Sequence, residues 1–202
     1  MRATDAVWRT LADHALRGER HWKNTPDLAW AAGVGDKLAY KALQRPTGIG
    51  AVTRHPAGGF SVTDPERLLT LFAAARSLTD ARTTTLEAAQ ETLLHAPVYA
   101  LGGTRAAAHH LGGRNTIAAH APAIIYVPAT VPLAALPPGH GALVFTANDH
   151  ALTTWADGYT SPAQTYADLF AQAGWQASEF RRALWHAWFS VDDWARAEVQ
   201  HA

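Results

Sequence analysis

The chain contains no cysteine. Disulfides, thiolate zinc sites and a cysteine nucleophile are therefore excluded. Charge is scarce. Of 202 residues, 17% are Asp, Glu, Lys or Arg, against a usual value of roughly 25%. The surface cannot be a lattice of salt bridges. Lysine is rarer still, with three residues against fourteen arginines. No apolar run approaches the ~18–20 residues that span a bilayer. The first stretch, "MRATDAVWRTLADHALRG", carries charges throughout, where a signal peptide would have an apolar core. A cytoplasmic protein with no membrane contact is expected.

Catalytic signatures are also missing. There is no Gly-x-Ser-x-Gly elbow. Two-metal chemistry needs paired carboxylates on a strand, yet the β-prone runs "AIIYVPA" and "GALVFTAND" carry Asp149 alone. The adjacent pair Asp192-Asp193 falls in a C-terminal helical stretch, where neighbours diverge. On a helix His109 and His110 point ~100° apart, unlike the i, i+4 pair of a metal-binding helix. His95, His120 and His140 add no cluster. Gly102-Gly103 and Gly112-Gly113 bracket that helix, but no Lys follows to complete a phosphate loop. No catalytic residue, metal or cofactor is expected.

What the chain does have is apolar content, at 48%, and an uneven charge. Residues 1–63 hold 9 Lys/Arg against 5 Asp/Glu, and residues 64–202 hold 8 against 12. A basic front and an acidic back suit a chain that touches nucleic acid with one end.

The patterning predicts an α+β protein in two parts, residues 1–80 and 81–202. Thr4 to Arg17 places Val7, Leu11, Ala15 and Trp8, Ala12, Leu16 on adjacent stripes, a helix capped by Thr4 and stopped at Gly18. Thr25-Pro26 opens a second helix, with Thr25 as its cap. Gly33 to Gly35 is a turn. A third helix runs from Asp36 to Gln44, is stopped by Pro46, and buries Leu38, Ala39, Ala42 and Leu43. The runs Ala51–Arg54 and Phe60–Thr63, separated by Pro56 and Gly58-Gly59, read as a hairpin. Asp64-Pro65 opens a fourth helix with Leu68, Leu69, Leu71 and Phe72 inside. Ser77 to Thr85 is a polar joint. Beyond it, helices alternate with β-rich runs, and "PLAALPPGHG" is a rigid loop. Ser161 caps a helix that buries Tyr166, Leu169 and Phe170. An aromatic tail follows, with Trp175, Phe180, Trp185, Trp188, Phe189 and Trp194. It exceeds one helical stripe, so part packs in the core and part suits an interface.

"TPDLAWAAGVGDKLAYKALQ", followed by the hairpin, resembles the winged helix-turn-helix domains of bacterial transcription regulators. The resemblance implies that the outward face of the third helix enters the major groove of double-stranded DNA. Thr25, Lys37, Tyr40, Lys41, Gln44 and Arg45 are then the helical contacts, and Arg54 and His55 those of the wing. The chemistry agrees. Lys37, Lys41 and Arg45 can neutralise phosphates. Gln44 can pair with adenine. Asp36 favours the positive end of the helix dipole.

"VYALGGTRAAAHHLGG", "IIYVPA" and "SPAQTYADLFAQAGWQASEFRRALW" resemble the AbiEi-family antitoxin regulators of type IV toxin–antitoxin systems. Those join an N-terminal winged helix to a mixed α/β C-terminal domain. The resemblance implies a sequence-specific repressor or autoregulating antitoxin-like protein. Its C-terminal domain would dimerise, position DNA or bind a partner such as a cognate toxin. The alternative is a protein-interaction module of a toxin–antitoxin or phage-related system with no direct DNA role.

Overall fold

A computed structural model describes residues 2–112, 117, 122–155 and 157–190. Asp192-Asp193, Trp194, His120 and Gly113 lie outside them. The fold is mixed α+β. Contacts divide the described residues into two units: Arg2–Ala75 with residues 185–190, and Arg76–Leu184.

The first unit runs α1 (Ala3–Leu16), β1 (His21–Trp22), α2 (Thr25–Ala32), α3 (Asp36–Gly48), β2 (Val52–Arg54), β3 (Phe60–Val62) and α4 (Pro65–Ala75). Both sides of β3 are paired, giving the antiparallel order β1-β3-β2. β1 escapes sequence reading because two residues carry no periodicity. It exists only because Trp22 lies opposite Phe60. The hairpin presses on it closely. A Cβ on Gly59, where φ is +80°, would stand 2.6 Å from the Trp22 carbonyl.

Three local expectations are corrected. α1 starts at Ala3, with Arg2 and not Thr4 as its N-cap residue. The cap of α2 is Asn24, whose side chain accepts from the Asp27 N–H at 2.8 Å. Asn is at least as good a cap as Thr, and Thr25 becomes the first helical residue. α3 does not stop before Pro46 but continues through it to Gly48.

That last correction has a physical reason. Proline lacks the N–H that would bond the carbonyl four residues back, here Ala42. Trp8 Nε1 donates to the Ala42 oxygen at 2.8 Å instead. A tertiary bond thus fills the gap in the helical ladder, and both residues are buried. Trp8→Phe leaves this carbonyl without its partner and should destabilise the unit by about 1–3 kcal/mol. Pro46→Ala, which restores an N–H, should cost less in the Trp8→Phe background than in the parent. Urea titration of the four proteins measures this coupling, and additive losses would dismiss the explanation.

The second unit contains β4 (Arg82–Thr85), α5 (Leu86–His95), β5 (Ala100–Gly102), α6 (Gly103–His110), β6 (Ala123–Pro128), β7 (Gly141–Ala147), α7 (Asp149–Thr154), α8 (Pro162–Ala171) and α9 (Trp175–Leu184). The sheet order is β4-β7-β6-β5, with β6 and β7 parallel and the outer pairs antiparallel. All six residues of β6 are buried. Alternation sends Ile124 and Tyr126 to one face, with Phe145 and Trp155, and Ile125 and Val127 to the other, with Val144 and Leu136. A strand covered on both faces reads as one apolar run.

The polar joint at Ser77–Thr85 holds the edge strand β4. Its Arg82 guanidinium donates to the Leu136 carbonyl, and Thr84 Oγ1 donates to that of Pro137 at 2.7 Å. The loop "PLAALPPGHG" therefore lies along this edge. Pro137 and Pro138 have no N–H with which to extend the sheet, which suits an edge cover. On α8, Ser161 accepts from the Gln164 N–H at 3.4 Å, and Tyr166 and Leu169 are buried. Phe170 is not: it is 44% exposed, beneath the Arg181 guanidinium at 5.3 Å. The aromatic tail is split. Phe180 and Phe189 are buried, Trp175 is 65% exposed, and a π-helical turn covers Trp185–Phe189.

Among the described residues no helix is long and apolar enough to cross a membrane.

Candidate nucleic-acid interface

α2 ends where Gly33 adopts left-handed φ, +64°, letting the Val34 N–H reach back to the Ala29 carbonyl at 2.9 Å. After this turn Gly35 precedes α3, and Asp36 stands in its first turn. At about 100° per residue, Ala39, Ala42, Leu43 and Pro46 form one arc of α3, and all four are buried. The opposite arc carries Lys37, Lys41 and Gln44, all exposed. Tyr40 flanks it on one side and Arg45 on the other, also exposed. Leu38 was expected inside but is 51% exposed. It sits about a quarter turn from the centre of the buried arc, so only one side of it can be covered.

The hairpin meets this face through Arg54. Its guanidinium carbon lies 5.1 Å from the centre of the Tyr40 ring. Cation–π contact at an exposed site contributes about 0.5–1 kcal/mol. That is enough to bias where the Arg54 charge sits, next to the Lys37–Lys41–Gln44 stripe.

His55 is placed differently. It is half-buried, and its Nε2 lies 2.8 Å from Ser61 Oγ. His21 Nδ1 is 3.3 Å from the same hydroxyl, and the two imidazoles are 5.5 Å apart. His55 thus fastens the hairpin across its strands, and Arg54 is the cation the hairpin turns outward. Thr25 is half-buried at the start of α2. All three lysines of the chain, Lys23, Lys37 and Lys41, are exposed in this unit. Arg67 donates to the Ile49 carbonyl at 2.7 Å and pairs with Asp64 at 3.3 Å, holding the exit of α3 against the start of α4.

Sequence reading missed a second cluster, buried in the other unit. Asp168 Oδ1 accepts from Arg76 Nε at 2.8 Å and from the Tyr126 hydroxyl at 2.7 Å. Arg76 Nη2 donates to Tyr126 at 2.7 Å. Gln164 Nε2 reaches both Tyr126 and Asp168, at 3.1 and 3.0 Å. The Arg76 guanidinium also lies 4.4 Å over the Phe145 ring. A side chain at Gly102 would run into Asp168 Oδ2. Burial, and next the charge of Asp168, push the Tyr126 phenol well above its ordinary range. The one hint in the sequence is Asp168 itself, a lone charge in the apolar run "TYADLF". Asp168 and Tyr126 are 0% exposed, so this cluster is a fastening and not an open site.

His109 and His110 are occupied with packing. His109 stacks on Tyr159 with centroids 4.0 Å apart, and His110 Nε2 donates to the Thr160 carbonyl at 2.7 Å. Burial pushes His110 below the usual imidazole range. No group of three or more His, Asp or Glu able to hold a metal ion occurs among the described residues.

No protein-family model, curated protein or solved structure matches this chain.

Proposed function

We propose that this chain is a sequence-specific DNA-binding transcription regulator, a repressor or an autoregulating antitoxin-like protein of the AbiEi type. The observation that carries the reading is the outward stripe of α3. Lys37, Lys41 and Gln44 stand together on it, and Arg54 is held beside it over Tyr40. The order of three helices and a hairpin is that of a winged helix-turn-helix, with α3 as the recognition helix and the β2–β3 hairpin as the wing. Such a helix reads base edges while cations hold the phosphates. Residues 81–202 then serve dimerisation, DNA positioning or the binding of a partner such as a toxin. The protein acts in the cytoplasm.

One observation favours the alternative, a protein-interaction module. Trp30 on α2 is 78% exposed and Leu38 on α3 is 51% exposed, and exposed tryptophan suits a protein contact.

Selection of bound duplexes from a random DNA library at about 0.1 M salt separates the two readings. The DNA reading expects a consensus, and Gln44→Ala should relax it at one base pair. A full-length protein that selects no sequence belongs to the alternative. The Tyr40–Arg54 contact adds a finer test. Tyr40→Ala and Arg54→Ala should each weaken binding, and the double variant should lose less than their sum by about 0.5–1 kcal/mol. Tyr40→Phe keeps the ring and should bind within about twofold of the parent. Strict additivity would mean that Tyr40 contacts DNA by itself.

A further inference from the structure

The three-stranded sheet of the first unit carries two imidazoles that lean toward each other across its middle strand. Strand alternation buries Trp22, Phe60, Val52 and Val62 on one face and leaves His21, Thr53, Ser61 and Thr63 on the other. His21 stands opposite Ser61 in the β1–β3 ladder. His55, just beyond β2, reaches the same hydroxyl from the other flank of β3. The two ring nitrogens, His21 Nδ1 and His55 Nε2, lie 3.3 and 2.8 Å from Ser61 Oγ, and the ring centres are 5.5 Å apart.

That spacing is close to the one a zinc ion imposes. Bonds of about 2.0–2.1 Å to two imidazole nitrogens, at a tetrahedral angle, put the ring centres about 5.2 Å apart. Hydrogen-bond chemistry points the same way. Ser61 has one hydroxyl proton and can give it to one ring nitrogen. The second nitrogen can bond that oxygen only by donating an N–H. A metal ion accepts the lone pairs of both rings at once. The roots of the two side chains are held by backbone bonds. The His55 N–H donates to the Gly59 carbonyl at 3.1 Å, and the His55 carbonyl accepts from the Gly58 N–H at 3.0 Å. His21 is fixed by its strand pairing, yet its side chain is exposed, so the ring can turn and water can reach the ion.

We infer that His21 and His55 together bind a divalent transition-metal ion of the class that prefers imidazole, such as zinc. Water fills the remaining positions. The ion joins β1 to the end of β2 across β3, and so clasps the base of the hairpin. Two protein ligands give micromolar binding, far weaker than a four-ligand structural site.

The test uses the full chain and zinc alone, titrated by calorimetry in a non-chelating buffer near neutral pH. One zinc should bind saturably, and millimolar magnesium, which prefers oxygen ligands, should not displace it. His21→Ala and His55→Ala should each weaken this binding at least about tenfold, because the second bond of a chelate forms at high effective concentration. Zinc should raise the melting temperature of the parent and not that of either variant. His21 is exposed, so its variant tests the site even if His55→Ala folds poorly. Absence of saturable zinc binding overturns the site. Unchanged affinity in His21→Ala places the ion elsewhere and overturns the assignment. Displacement by magnesium overturns the imidazole class. None of these readouts involves DNA, so failure here leaves the proposed function standing, and the reverse.

Discussion

Asp168→Ala should destabilise the second unit by about 3–5 kcal/mol, because it leaves the Arg76 charge buried without its counter-ion. Both groups sit in the interior, Asp168 at 0% and Arg76 at 8% exposure. Each also leans on the Tyr126 hydroxyl. Removing both charges together is a different experiment. Arg76→Met with Asp168→Leu exchanges an ion pair for apolar packing, a swap that is often neutral or stabilising. The double variant should recover most of the loss. Urea titration followed by circular dichroism compares the three proteins. A single variant that loses less than about 1 kcal/mol would show that the pair is dispensable. The same network gives an alkaline signature. The folded state holds the Tyr126 proton that the unfolded chain releases near pH 10. Stability should therefore fall as pH rises above about 10, and Tyr126→Phe should remove that part of the fall.

The triple variant Lys37→Ala, Lys41→Ala, Arg54→Ala should lose several hundredfold in DNA affinity while folding normally. The estimate follows from counterion release. Each phosphate contact contributes a slope of roughly −0.9 in log affinity against log salt. At 0.1 M salt that is about 0.9 log unit per contact, or about 2.7 for three. The salt slope itself should become shallower by roughly 2.7. All three side chains are exposed, so the melting temperature should stay within the usual range of surface changes. Fluorescence anisotropy from about 0.05 to 0.3 M salt gives both numbers. A large loss with an unchanged slope would mean base contacts and not phosphate contacts. Unchanged affinity and slope would remove α3 and the hairpin from the interface.

The local elements were largely legible. Period-3.6 patterning gave α1, α2 and α4, and Asp64-Pro65 marked the start of α4, where the Asp64 carboxylate accepts from the Arg67 N–H at 2.8 Å. The outward stripe of α3 was also legible, because alternation with Ala39, Ala42 and Leu43 leaves Lys37, Lys41 and Gln44 on the other side. Leu38 was misplaced because an apolar residue at the margin of an arc looks the same in sequence whether or not a neighbour covers it. Phe170 was misplaced for the same reason. β1 and β4 were not readable, since a strand of two residues, or a polar edge strand such as "RTTT", acquires its identity from its partner.

By itself the sequence determined which faces are apolar, where most turns fall, and which cations share the surface of α3. These follow from side-chain spacing along the chain, and spacing is local. Only the tertiary structure decided that Trp8 would supply the bond Pro46 cannot make, that Arg54 would lie over Tyr40, and that Arg76 would find Asp168. Those partners are separated by 34 residues for Trp8 and Ala42 and by 92 for Arg76 and Asp168. A hydrogen bond or ion pair depends on a few ångströms and on orientation, and no periodicity in one chain encodes that across such distances.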